Sequence, residues 1–197
     1  MAGLFLPFTP NGKATELRAI EVKRHLGLGP SAAVDPIEML ALVPARLTDP
    51  DWFRSASPEI ARVLFVEEVA NWSGICWGES PVDGASLILL NPTHAPTRRR
   101  ATLVEEIVHI VLMHPKSTLS TSTNGSVFTR SHNAEVESEA FSVGAACLLP
   151  YADVFHAIRD MHETVASIAR RYEVSQSYVE FRIKTAGLMR MYKSYCA

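Results

Sequence analysis

The chain has 197 residues, 47% hydrophobic and 20% charged, which is typical of a soluble globular protein of one medium domain or a domain with a small appendage. A formal net charge of -2 gives no overall attraction to nucleic acid or to an anionic membrane. Three cysteines without C-x-x-C spacing argue against both a disulfide framework and a thiolate zinc site. Signal-peptide features and an apolar run of ~20 residues are both missing, so a cytoplasmic location is expected.

The first half of the chain is predicted to be largely helical. An apolar stripe with helical spacing covers residues 14–26 and stops at glycines. A short second helix is expected from Pro36 to Leu42, with Asp35 as its cap and the proline in the first turn. Prolines and serines indicate loops over residues 50–58, and a third helix is predicted over 58–69.

Two strands and a long helix are predicted next. Residues 72–78 and 85–91 have strand character, and the Pro, Asp and Gly between them are typical of a hairpin. These strands predict a small antiparallel sheet. A helix follows over residues 97–114 and is closed by Pro115.

The last part of the chain contains a polar segment and further helices. Residues 117–131, rich in Ser, Thr, Asn and Gly, are expected to form a loop or lid. A helix is predicted over 134–149, and two or three more lie between 151 and 188.

The predicted fold class is therefore α+β, mostly helical, with a small antiparallel sheet and a C-terminal element of helix-turn-helix proportions. The predicted division places a main domain at residues 1–150 and a helical subdomain, packed on it, at residues 151–197.

The candidate catalytic and metal-binding residues lie on the long predicted helix. At 100° per residue, Glu105, Glu106 and His109 fall within about 100° of one face. Carboxylates on a mostly apolar helix are costly to bury unless a cation or a donor meets them. The spacing alone is a weak signal, because a single histidine in an apolar helix is more often a packed residue than a ligand. An H-E-x-x-H sequence would be stronger.

The helix over 134–149 adds further carboxylates. Glu135 and Glu137 are expected to be exposed helix charges. Glu139 precedes a run of small and apolar residues, so it is placed at the edge of the core, where a solvated carboxylate is less expected.

Three segments together resemble the ImmA/IrrE family of metallopeptidases. Residues 98–114 read R-R-R-A-T-L-V-E-E-I-V-H followed by I-V-L-M-H, similar to the family's H-E-x-x-H helix with a trailing histidine. Residues 137–150 resemble its E-A-x-x-F-A-A-x-L-L-M-P helix, and residues 168–188 resemble its C-terminal L-A-x-x-F-x-V-S element. The likeness extends from about residue 35 to residue 188, in matching order and spacing.

The resemblance implies a zincin-like domain with one metal ion and intracellular, regulated proteolysis, often of a transcriptional repressor. It implies that His109 and Glu139 are metal ligands and that Glu106 is the general base that activates water. Glu105 departs from the family, because it stands where the first histidine is expected.

Three interpretations of Glu105 stay open. It can itself be a ligand beside His109 and Glu139, which would allow zinc and, with two carboxylates, also manganese or iron. The protein can be a metal-free pseudo-peptidase that acts as a protein-binding regulatory module, or the metal can be purely structural. Catalysis would also need an oxyanion stabiliser, for which the candidates are His114, His132 and Tyr151.

The C-terminal helices raise the question of DNA binding. Ser175 is a good cap for a second helix. That helix carries Tyr178, Val179, Phe181 and Ile183, which indicate packing more than base contact. A structural or partner-docking role is therefore expected, and direct DNA binding is not. Duplex binding that Arg182→Ala weakens would contradict this expectation.

Overall fold

The computed structural model describes residues 5–115, 120–121, 128–129 and 133–196. Within these residues it contains ten α-helices, one π-helical turn and five strands, in an α+β fold as predicted. The helices are α1 (Pro10–His25), α2 (Pro36–Leu40), α3 (Pro50–Ala56), α4 (Pro58–Arg62), α5 (Pro96–Val111), α6 (Ala134–Leu148), α7 (Tyr151–Arg159), α8 (Val165–Arg171), α9 (Gln176–Thr185) and α10 (Met189–Tyr195). The strands are β1 (Ala45–Leu47), β2 (Gly74–Glu79), β3 (Ser86–Leu90), β4 (Ser120–Thr121) and β5 (Phe128–Thr129), and the π-helical turn is Val63–Glu67.

Two of the short helices begin with the same Asp-Pro signal. Asp35 caps α2 by accepting hydrogen bonds from the backbone N–H groups of Ile37 and Glu38, as predicted. Asp49 caps α3 in the same way, with Pro50 in the first turn. The prediction of a loop over 50–58 is wrong in this part, because the prolines there begin helices.

The three-stranded sheet has the order β1-β3-β2. Strands β2 and β3 pair antiparallel, as the hairpin pattern predicted. The prediction of a purely antiparallel sheet is wrong, because β1 pairs parallel with β3. A parallel pair needs a long connection, which here contains α3 and α4. Three residues are too few for a clear strand signal, which explains why β1 was not predicted.

The sheet is buried on both faces. In β3 the adjacent residues Ile88 and Leu89 point to opposite faces, and both have 0% exposure. Ile88 belongs to the main core with α5 and α6, whereas Leu89 packs in a smaller cluster with Phe53, Leu64 and Trp72. The apolar sequence of β3 follows from this central position.

Helices α5 and α6 form the centre of the main core. A Cβ atom added at Gly144 of α6 would lie 3.5 Å from the backbone nitrogen of Glu105, so the two helices approach closely at this point. Further along, His109 lies against Glu137. Residue numbers rise on α5 while they fall on α6, so the two helices run antiparallel.

The C-terminal helices pack on this core. Ser175 caps α9 as predicted, and Tyr178, Val179 and Ile183 are buried. Arg182 is also buried, so its guanidinium is not available to a phosphate backbone, and Arg182→Ala cannot serve as the test of DNA binding. The main core includes side chains from both sides of residue 150. The domain division at 150 stays a prediction.

Some expectations concern parts of the chain at the limits of the structure. The proposed loop or lid over 117–131 lies outside the described residues, apart from β4 and β5, which pair antiparallel. Within the described ranges, no one helix has the length and hydropathy of a membrane span, and α6 with α7 meets that criterion only as a pair bent by 58°. No disulfide joins any of the three cysteines, all of which lie in the described ranges.

Candidate metal centre

The C-terminal end of α5 is built by a Schellman turn. The N–H of His114 donates to the carbonyl of His109 at 2.9 Å, and the N–H of Met113 donates to that of Ile110 at 3.1 Å. Met113 has φ of 52°, a left-handed conformation in which glycine is the usual residue. The helix therefore ends at the point where the chain folds back beside His109.

Three side chains converge between α5 and α6: Glu105, His109 and Glu137. Each offers a ligand atom, and these atoms all lie within 4.8 Å of one another. The Nε2 atom of His109 is 3.8 Å from Oε2 of Glu137, and these two side chains are 13% and 22% exposed. Two carboxylates and an imidazole in so small a half-buried volume are a donor set that suits a divalent cation.

The distances are close to those of a metal site. A cation at about 2.0–2.2 Å from each ligand holds the donor atoms within roughly 4 Å of one another. The group needs only small side-chain rotations to reach this geometry. The residues present therefore fit the metal ion that the resemblance implies.

Glu139 lies outside this group. Its Oε1 atom is 3.3 Å from Nε of Arg18, and its Oε2 atom is 3.4 Å from Nε2 of His114. The structure thus places Glu137, which was expected to be an exposed charge, beside His109. Glu139 lies beside His114 instead. The assignment of Glu139 as a ligand stays a prediction.

Helical geometry explains why Glu137 and not Glu139 faces α5. Positions 137 and 144 are nearly aligned on α6, and Gly144 marks the face that contacts α5. Glu139 follows Glu137 by about 200° around the helix axis, so the two side chains point in nearly opposite directions. It therefore faces α1, where Arg18 lies. The sequence signal that would have identified Glu137 is its alignment with this glycine on the α5-facing side.

Glu106 lies on the part of α5 that faces β2. It is 5% exposed and lies under β2, where a Cβ atom added at Gly74 would come within 3.1 Å of its Oε1 atom. Glu106 and His109 both line a cleft of about 370 Å³. The structure thus brings the predicted base and the predicted ligand to one cavity.

Strand β2 forms a wall of this cleft. The register of β2 against β3 shifts between Cys76 and Gly78, which leaves Trp77 as an extra residue in a β-bulge. Side chains alternate along a strand, so Cys76 and Glu79 would face opposite sides without this bulge. With it, both line the cleft.

Tyr178 is buried close to Glu105. Burial, and then the charge of the Glu105 carboxylate, raises the pKa of Tyr178 well above its ordinary value. Its phenol therefore stays neutral and adds no negative charge beside the two carboxylates. Of the suggested oxyanion stabilisers, His114 lines the cleft, Tyr151 is buried beside Phe155, and His132 lies outside the described residues.

Gly74→Ala is expected to disturb the cleft. The new Cβ atom would lie 2.5 Å from Cγ2 of Thr102, a buried β-branched residue, so β2 or α5 must shift. We expect the free energy of unfolding to fall by about 1–3 kcal/mol in chemical denaturation. Adding Thr102→Ser, which removes this methyl group, should recover part of the loss.

Gly78→Ala is the matched control on the same strand, because no atom lies within 4 Å of its added Cβ. Equal losses in the Gly74 and Gly78 variants would contradict the proposed steric cause.

Comparison with known protein families finds a match that covers more than half of the chain. The model of Peptidase M78, described as the IrrE N-terminal-like domain, matches residues 75–184, more than half of the chain. The matched segment contains Glu105, Glu106, His109 and Glu137. No curated protein matches the chain. The family match supports a metal-dependent, protease-like function.

Proposed function

Because the chain belongs to the Peptidase M78 (IrrE N-terminal-like) family, we propose that it is a metal-dependent endopeptidase whose ion is held by Glu105, His109 and Glu137. The observation that carries this ligand set is the convergence of their donor atoms within 4.8 Å. Glu105 thus takes the place of the family's first histidine as a ligand. The set differs from the resemblance-based one only in Glu137, which replaces Glu139.

The donor chemistry limits which metal ions suit the site. Zinc accepts imidazole and carboxylate ligands, and two carboxylates also suit manganese or iron. We propose zinc as the resident ion. When bound, it would supply Lewis acidity to the scissile carbonyl and lower the pKa of water.

Residues of the chain would carry out proton transfer and substrate binding. Glu106 lies in the cleft wall beside His109 and takes the proton of the attacking water, which it then delivers to the leaving amine. Its burial under β2 restricts its position, which favours a defined proton transfer. Among the described strands, β2 is at an edge of its sheet, so an extended peptide can add to it as a further strand along the cleft.

The biological setting is also a proposal. The family resemblance suggests a regulatory peptidase of the cytoplasm whose substrate is a partner protein, for example a transcriptional repressor. No contact in the described residues bears on that partner.

A protein-binding module without hydrolysis is the second candidate. Two carboxylate ligands leave the bound cation less positive than two histidines would, so the water beside it is less acidic. Both candidates keep the cleft, and they differ in whether Glu106 matters to the outcome.

Metal content tests the ligand set. Wild type and Glu137→Gln are each loaded with excess zinc, freed of unbound metal by gel filtration and analysed by mass spectrometry. We expect about one metal ion per wild-type chain and loss of the ion in Glu137→Gln, because one of three ligands becomes a weakly binding amide.

Glu135→Gln is the matched control, because it is the same substitution at an exposed residue two positions away on the same helix, and it should keep full stoichiometry. Loss in Glu139→Gln with retention in Glu137→Gln would instead establish the ligand set that the resemblance implied. A wild type that binds neither zinc, manganese nor iron would overturn the proposed function.

A further inference from the structure

Two imidazoles are in direct contact at the candidate metal centre. The Nδ1 atoms of His109 and His114 are 3.0 Å apart, and the rings meet at 76° with centroids 4.9 Å apart. The side chain of His114 is 8% exposed, so this contact is shielded from solvent. The Schellman turn at the end of α5 is what brings the two residues together.

The contact restricts the tautomer of both rings. The Nε2 atom of His109 faces Glu137, so this is the nitrogen that a shared metal ion would take. A neutral His109 then carries its proton on Nδ1, where it donates to Nδ1 of His114. His114 must in turn carry its own proton on Nε2.

The carboxylate of Glu139 lies at the far side of His114. The Nε2 atom of His114 is 3.4 Å from Oε2 of Glu139. The other carboxylate oxygen accepts from Nε of Arg18 at 3.3 Å, and Arg18 also donates to Glu21 at 3.0 Å. The series therefore runs from α5 through α6 to α1, and each member has a donor or acceptor role consistent with its neighbours.

We propose that His114 is a positioning residue, which holds His109 in the orientation and tautomer that direct Nε2 to the metal, with Glu139 acting through His114. The proposal rests on the proposed function, because it requires the metal site of Glu105, His109 and Glu137. Metal-ligating histidines generally donate their second N–H to an acceptor, and such outer partners typically change metal affinity 10- to 100-fold. Here that acceptor is another imidazole.

The same contacts argue against His114 as the oxyanion stabiliser. Its Nδ1 faces His109 and its Nε2 faces Glu139, so both ring nitrogens are already engaged. Its place in the cleft wall therefore follows from its contact with His109.

The test measures zinc affinity by competition with a chelator, on folded full-length protein. His114→Phe keeps a ring but removes both nitrogens, and we expect zinc affinity to fall by about 10- to 100-fold. His114→Asn keeps an acceptor oxygen, so it should bind zinc more tightly than His114→Phe. His25→Phe, at an exposed histidine of α1, is the matched control and should bind as wild type does.

The Tm of each variant and the visible absorption spectrum of its Co²⁺ form complete the test. A weaker site in His114→Phe with an altered Co²⁺ spectrum and an unchanged Tm supports the proposal. Wild-type affinity in His114→Phe would overturn it, and so would equal losses in the Phe and Asn variants with a lowered Tm. A wild type without metal would defeat the proposed function, and this inference with it.

Discussion

Glu106→Gln is expected to lower the rate of peptide hydrolysis by a factor of about 10²–10⁴ while the bound metal and the fold are retained. Gln has nearly the same shape as Glu, so it fits under β2 beside Gly74, but it cannot take a proton from water. The measurement is turnover of a fluorogenic peptide mixture by zinc-loaded protein, with new peptide ends identified by mass spectrometry.

Glu79→Gln is the control, because Glu79 lines the same cleft from β2 and is exposed. It removes the same charge from the cleft and should change turnover far less. Hydrolysis by Glu106→Gln at the wild-type rate would exclude Glu106 as the base. A zinc-loaded wild type that retains a partner protein uncut, with binding indifferent to Glu106→Gln, would instead support the binding-module function.

Arg182→Met is expected to destabilise the fold by about 3–5 kcal/mol, measured as the free energy of unfolding in urea. Arg182 of α9 has 0% exposure, forms an ion pair with Glu16 of α1 and donates to the carbonyl of Leu149 at 2.8 Å. Glu16 also accepts from the backbone N–H of Tyr151 at 3.0 Å. Removing the guanidinium leaves the Glu16 carboxylate buried without its cation.

The double variant Arg182→Met with Glu16→Leu removes both charges, so it should recover much of the lost stability. Lys184→Met, two residues further on α9 and exposed, is the control and should change stability little. A similar loss in both single variants would contradict the ion-pair explanation.

For DNA binding, Lys184→Ala is the more informative variant, because its side chain is exposed and its loss leaves the core intact.

Local signals in the sequence predict much of the helical structure. Asp35-Pro36 starts α2 as expected, and Ser175 caps α9, because capping depends only on residues that are neighbours in the chain. The Asp49-Pro50 pair carries the same signal, and applying it there would have predicted α3. The parallel pairing of β1 with β3 was not predictable in this way, because it joins segments that are distant in sequence.

The candidate site also has one part that the sequence predicts and one part that depends on contacts between distant segments. Sequence alone determined that Glu105, Glu106 and His109 share one side of a helix, because the helical repeat fixes the relative directions of residues within one element. Only the tertiary structure decided which carboxylate of α6 joins them. The close approach of the helices at Gly144 turns Glu137 towards His109 and Glu139 towards Arg18, and the rotation of one helix against another depends on packing across the whole core.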